Sequence, residues 1–292
     1  MKLGQHILTK YGFTTTADHA HKTGSDIYQM FLSSPQSFQI KKHNENDLKI
    51  IRDKAQKYGI EIVIHGNYMM NYCNPVSSFI HKTSINLLVN DLNASVKLGS
   101  IGVIIHMGKN TEKLKITDNE AKQNYIKGVE SALELSPDES ILIFETGAGQ
   151  GKEMFTSLED LGLLRRLINK KFTHRIKFCI DTCHIFSSGY DLGNEDYVKM
   201  LEHHIENTLG WNNVCVVHLN DSDKVLNCRV DRHADIGKGC IKVEGLMEFV
   251  KLCNKHNVPM VLETPTNTYN DKNERYTSVE QMKFIRDYIK KN

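Results

Sequence analysis

No apolar run in the 292 residues reaches the length of about 18 that a membrane-spanning helix requires, which excludes an integral helical membrane protein. Prolines number only five, and there is neither a low-complexity linker nor a shift in composition along the chain. Residues 1–292 are therefore expected to form a single domain with a sizeable core. The opening Met-Lys-Leu-Gly-Gln-His-Ile runs straight into a strand-like stretch and lacks the apolar core of a secretory signal. The seven cysteines are odd in number and show no paired framework spacing. Both features point to an intracellular, reducing compartment. Charge of one sign is scarce as well, because 37 Lys and Arg against 35 Asp and Glu leave a formal net charge of +2. That is far from the balance of a protein that binds nucleic acid by bulk electrostatics. Lysines such as Lys109, Lys113 and Lys115 read as solvated surface that leaves room for local contacts. No apolar stripe or coiled-coil repeat calls for an oligomer, so a monomer is expected.

What the chain has instead is a recurring unit, an apolar, β-branched run of about five residues that ends in His, Glu or Asp. Such runs end at His65, His106, Glu145, Asp181, His218 and Glu263, in steps of 41, 39, 36, 37 and 45 residues. Each step fits one strand, one helix and two loops. Continuous apolar runs belong to strands covered on both faces, as in a parallel sheet. Earlier runs at 3–7 and 27–32 bring the strands to eight. Helical periodicity falls between them at 46–58, 77–98, 117–135, 157–169, 194–209, 243–255 and 278–289, and Gly59 and Gly99 close the first two. The expected fold is α/β, a TIM-type (β/α)8 barrel whose site lies at the C-terminal rim of the strands. A doubly wound open sheet is the main rival, but it would draw its site from two or three strand ends rather than six.

A lone histidine is ordinarily a satisfied polar residue, and His43, His81, His203 and His256 are assigned to that class. The joint pattern is different. Five histidines (His65, His106, His184, His218 and His233) and four carboxylates (Glu145, Asp181, Asp231 and Glu263) follow apolar runs or stand in the loops just after them. Gathered at a barrel rim, they would bury charge with nothing to offset it. A metal cluster supplies the offset, and imidazole with carboxylate in place of thiolate favours zinc or another borderline ion such as manganese in a catalytic role. Cys179 and Cys183 read as core and rim residues rather than ligands. In the extended segment 230–233, residues two apart face the same way, so Asp231 and His233 can share one ion.

Four motifs carry a resemblance: E-T-G-A-G-Q-G at 145–151, C-I-D-T-C-H-I-F-S-S-G-Y-D at 179–191, H-L-N-D-S at 218–222 and R-V-D-R-H-A-D-I-G-K-G at 229–239. In this order they resemble the endonuclease IV family of apurinic/apyrimidinic endonucleases, over nearly the whole chain. The resemblance implies three zinc ions, with manganese as an alternative in part of the cluster. His65, His106 and Glu145 match the ligands of the first ion. Glu145 matches a bridge to the second, completed by Asp181, His218 and Glu263, and His184, Asp231 and His233 match the third. The implied reaction is hydrolysis of the phosphodiester 5′ to an abasic site in double-stranded DNA, leaving a 3′-hydroxyl and a 5′-deoxyribose phosphate. Glu145 and Glu263 match the catalytic carboxylates, Glu263 orienting the nucleophile as well as ligating.

Tyr68 and Met69 match residues that wedge into the DNA. Gln36 stands where an arginine commonly enters the base stack. Asn227 and Cys228 replace a common Gly-Ser, and Lys242 replaces a frequent glycine at a place where it would reach the DNA backbone. Two other readings share parts of this pattern. A sugar isomerase on the same barrel would need two metals and a closed pocket, and has no use for Asp-Arg-His or Tyr68-Met69. A non-catalytic binder of damaged DNA would not need all nine ligand positions filled.

Overall fold

The structure is a computed structural model that describes residues 1–270 and 273–291. Its strands are β1 (Leu3–His6), β2 (Ile27–Phe31), β3 (Glu61–His65), β4 (Val103–Ile105), β5 (Leu142–Glu145), β6 (Ile176–Asp181), β7 (Val214–His218), β8 (Asp221–Ser222), β9 (His233–Ala234) and β10 (Met260–Leu262). The helices are α1 (Thr16–Lys22), α2 (Glu45–Tyr58), α3 (Phe79–Leu98), α4 (Asp118–Glu134), α5 (Leu158–Leu167), α6 (Thr182–Ser188), α7 (Glu195–Thr208), α8 (Val243–Lys255) and α9 (Ser278–Lys291). All strands but β8 and β9 close into one parallel barrel in the order β1-β10-β7-β6-β5-β4-β3-β2, the TIM-type architecture expected from the runs. The antiparallel pair β8 and β9 stands outside it. No helix among the described residues is long and apolar enough to cross a membrane.

Local chemistry sets the helix boundaries. Asn44, Ser78, Thr117, Ser157 and Asn194 each accept a backbone N–H with the side chain, and Thr117 forms a reciprocal capping box with Glu120. A capping residue lies outside the helix it starts, which is why α3, α4, α5 and α7 begin a residue or two after the expected starts. Gly59 and Gly99 take up the left-handed conformation after α2 and α3, as expected of terminating glycines.

Inside the barrel, Ile27, Val63, Ile104, Ile143, Cys179, Val216 and Val261 form one small apolar cluster, and Cys179 belongs to it as the sequence suggested. A larger apolar shell packs between strands and helices. Strand β1 lies so close to β2 that a Cβ on Gly4 would come within 1.5 Å of the Ile27 carbonyl oxygen.

The register sets the rim. Asp181 on β6 lies opposite His218 on β7, and Glu145 on β5 lies opposite Cys179 on β6. Strands β3, β5, β6 and β7 end on the polar residues their runs led to, whereas His106 and Glu263 lie one residue beyond β4 and β10. Helices α1 and α6 and the β8/β9 pair have no counterpart in the sequence reading. A Gly4→Ala variant is expected to lose about 3 kcal/mol of stability, because backbone cannot retreat from the new methyl. Gly59→Ala, strained in φ but open in space, should lose only about 1 kcal/mol. Urea unfolding of both variants checks the order, and equal losses would contradict this packing.

Candidate metal centre

The rim is assembled by hydrogen bonds that continue from the strand ends. The Thr146 hydroxyl, one residue beyond β5, accepts the Asp181 N–H at 2.9 Å. Asp181 then caps α6, its Oδ1 accepting the His184 N–H at 2.9 Å, which turns the chain so that His184 comes back over the rim. Its Oδ2 accepts from Asn220 Nδ2 at 2.8 Å, while Asn220 Oδ1 accepts the Glu263 N–H at 2.9 Å. One asparagine after β7 thereby fixes two of the acidic residues.

Glu145 is the centre of the arrangement. Its Oε2 lies 3.4 Å from His65 Nε2 and 3.6 Å from His106 Nδ1. Its Oε1 lies 2.9 Å from His218 Nδ1 and 3.4 Å from His184 Nδ1. The two oxygens thus face different groups. His218 Nδ1 is also 3.1 Å from Glu263 Oε2 and 3.7 Å from Asp181 Oδ2. On the outer side, Asp231 Oδ1 is 3.2 Å from His184 Nε2 and 3.3 Å from His233 Nε2, so Asp231 and His233 do share a face.

Metal-capable donor atoms, all within 4.8 Å of one another in each set, form the groups His65-His106-Glu145, Glu145-Asp181-His218-Glu263 and His184-Asp231-His233. A further overlapping group joins Cys183 to Asp181 and His233. Burial pushes the Cys183 thiol up to about 12, and its Sγ points a hydrogen bond at the Arg232 carbonyl 3.5 Å away, so thiolate character is absent there.

These residues fit divalent ions. The buried atoms His65 Nε2, Glu145 Oε2, His184 Nε2 and His233 Nε2 have no hydrogen-bond partner. An orphaned buried polar atom is costly unless something occupies the space before it. In each of these three histidines the other ring nitrogen is held by a carbonyl: His65 Nδ1 by Gly66 at 2.8 Å, His184 Nδ1 by Thr146 at 2.8 Å and His233 Nδ1 by Glu263 at 3.3 Å. A proton pinned on Nδ1 leaves Nε2 as a bare lone pair, the tautomer a metal needs. Charge tells the same story. Burial pushes the Glu145 carboxyl up, but His106, His218 and His65 outweigh it and hold it well below the usual range. Glu263 is likewise pushed up by burial yet brought down to about 2, chiefly by His218 and His65.

The other candidate residues fall at the mouth. Tyr68 and Met69 are exposed, 48% and 39%, on the loop after β3, and the Tyr68 ring lies 5.2 Å from that of His65 and 5.3 Å from that of His106. The Tyr68 N–H donates to the Pro35 carbonyl at 3.0 Å, tying this loop to the one that carries Gln36. Gln36 itself is exposed and does not line the cavity; Phe38 does. That cavity, about 710 Å³, reaches from Tyr68, Met69 and His106 to Asp231, His233 and Glu263. Asn227 takes a positive φ of 60°, a conformation glycine adopts freely and asparagine tolerates better than most residues. Lys242 is exposed just before α8. His43, His81 and His256 bond to Leu32, to Tyr72 and Asn74, and to Glu202, and His203 is exposed, all away from the ligand groups.

Sequence reasoning missed Gln29. It is fully buried on β2, donates to Glu263 and accepts from His218 Nε2 at 2.7 Å. The signal available was an amide in the middle of an apolar run.

The family described as xylose isomerase-like TIM barrel matches residues 17–288, and the closed barrel with its acidic, histidine-rich rim is of that class. Within it, a putative endonuclease 4 from Acanthamoeba polyphaga mimivirus is 34% identical over 99% of this chain and 94% of its own length. A probable endonuclease 4 from Haloquadratum walsbyi is 31% identical over 91% of this chain and 92% of its own length. The crystal structure of endonuclease IV from Thermus thermophilus superposes with a TM-score of 0.82 over all of both chains, at 25% identity. The chain belongs to the endonuclease IV family.

If the orphaned atoms are ligand atoms, adding zinc to EDTA-stripped protein stabilises it. At free zinc a hundred times Kd each site adds about 2.7 kcal/mol, which should raise the unfolding midpoint by about 5 °C or more. Calorimetry checks this, and an unchanged midpoint would contradict it.

Proposed function

We propose that this protein is a metal-dependent nuclease that incises double-stranded DNA 5′ to an abasic site, leaving a 3′-hydroxyl and a 5′-deoxyribose phosphate. One domain, acting as a monomer, carries the activity. The observation that supports this most is the division of nine rim donors into three sets, two of which share the Glu145 carboxylate, beside an exposed aromatic–aliphatic pair. His65, His106 and Glu145 would hold one zinc ion, Glu145, Asp181, His218 and Glu263 a second, and His184, Asp231 and His233 a third, with manganese able to replace zinc in part. Ions bound by such imidazole and carboxylate sets supply Lewis-acid stabilisation of charge on a phosphate and a water made acidic enough to attack it.

The remaining work falls to the chain. Glu145 sits between the first two sets with one oxygen towards each, which fixes their separation. Glu263, kept ionised by His218 and His65 and fastened by Gln29, is an acceptor at the cavity edge that can orient an attacking water in line with the phosphorus. Tyr68 and Met69 enter the minor groove and hold the abasic nucleotide out of the stack, and Phe38 rather than Gln36 is the aromatic of the neighbouring loop that faces the cavity.

The test is incision of a duplex carrying one tetrahydrofuran abasic analogue, which cannot undergo β-elimination. Wild type should cut 5′ to the analogue, and Glu263→Gln should lower kcat by about 100-fold or more. Tyr68→Ala should weaken duplex binding by about tenfold with the rim intact. Zinc-loaded protein that binds the duplex and leaves it whole would make it a binder of damaged DNA, and failure to bind would favour the sugar isomerase. Sedimentation at twice the chain mass of 33.4 kDa would overturn the monomer.

A further inference from the structure

The three donor sets are not built alike. Most of the nine residues sit on strand ends or in the first turn of α6, and most are buried. Asp231 is the exception, with its side chain 41% exposed in the loop that precedes β9. Its carbonyl accepts from Arg232 Nη1 at 2.7 Å, and the neighbouring Val230 and Arg232 carbonyls accept from the Ser187 hydroxyl and the Asp223 N–H, each at 2.9 Å. The Asp231 N–H itself is held from the loop after β5, on the far side of β6: Gln150 Oε1 accepts it at 2.8 Å. Arg229 packs alongside, where a Cβ on Gly149 would come within 2.9 Å of its Cδ, and Gly149 has a φ of +81° that only glycine adopts freely.

The loop that carries Gln150 is itself held. Glu153 accepts the Gly149 N–H with Oε2 at 3.0 Å and fills the space beside Gly147, where a Cβ would come within 2.7 Å of its carboxyl. Two backbone bonds join the segment to the loop after β4, Asn110 N–H to the Lys152 carbonyl at 3.1 Å and Met154 N–H to the Gly108 carbonyl at 2.9 Å. Gln150 and Glu153 both line the main cavity and neither belongs to any donor set. The run Glu145–Glu153 thus begins with the carboxylate at the centre of the cluster and ends with the side chain that folds the loop back on itself.

We propose that Gln150 and Glu153 are positioning residues forming a clip that holds Asp231 in the His184-Asp231-His233 set, and that this set loses its ion first when the clip is opened. The proposal rests on the three-ion reading above. The clip acts on backbone geometry, Glu153 setting the loop, Gln150 setting the Asp231 backbone and Asp231 Oδ1 completing the set with the two histidines.

The experiment is zinc retention by the full chain, measured by elemental analysis after dialysis against buffers of graded free zinc, for wild type, Gln150→Ala, Glu153→Ala and Glu153→Gln. Wild type should hold three ions across a range where Gln150→Ala and Glu153→Ala hold two, with the affinity for the lost ion down about 10- to 100-fold. Glu153→Gln should retain three, because its amide oxygen still accepts the Gly149 N–H. In the two alanine variants, raising free zinc should restore kcat for incision, a rescue that general loss of structure would not allow. Gln150→Ala holding three ions with the wild-type zinc dependence overturns the clip and leaves the three-ion reading standing. Wild type holding fewer than three ions at saturating zinc overturns the reading itself.

Discussion

One buried carboxylate organises this barrel's rim. Glu145 is in reach of four histidines from four different stretches of chain, two on each oxygen, and no water can reach it to share its charge. A carboxylate in that position is tolerable only if positive charge is brought to it. Imidazoles do this in part: burial draws His184 and His218 down, but the charges around them outweigh it and hold both well above the usual histidine range, whereas burial brings His106 down to about 4. Cations in the spaces before the orphaned nitrogens would do it fully and release the histidines to be neutral ligands. The rest of the rim serves that constraint, through Thr146, Asn220 and Gln29, which hold rings and carboxylates at fixed angles around Glu145.

How much of this could be read from the chain follows from which interactions are local. A parallel strand is covered on both faces, so each of the late strands announced itself as a continuous apolar run, and its last residue was marked by being polar. That made the barrel legible, and it picked out six of the residues that converge, because a strand end in a TIM-type barrel has only one place to go, while His184, Asp231 and His233 were read from the loops just after such runs. His106 and Glu263 lie just past their strands because β4 and β10 are only three residues long, a difference that pattern alone does not resolve.

The residues that escaped are those whose partners are distant. Gln29 bonds to His218 and Glu263, 189 and 234 positions along the chain, and no local pattern gives an amide in an apolar strand such partners. Helix α6 exists because Asp181 caps it while Thr146 and Asn220 hold Asp181, a tertiary arrangement rather than a propensity. Helix α1 is a short, mostly polar Thr-Ala-Asp-His-Ala-His-Lys segment with too few apolar positions to show a period. The Gln36 loop shows the complementary case. The sequence marked its departure from the family pattern, and the structure places Phe38, two residues on, at the cavity instead.

The measurement that tests the account most directly is anomalous X-ray scattering at the zinc edge from crystals of the zinc-loaded protein. Three peaks are predicted, two flanking the Glu145 carboxylate and the third beside His184, Asp231 and His233. A single peak, or none near Glu145, would contradict the claim that this carboxylate is the bridge around which the rim is built.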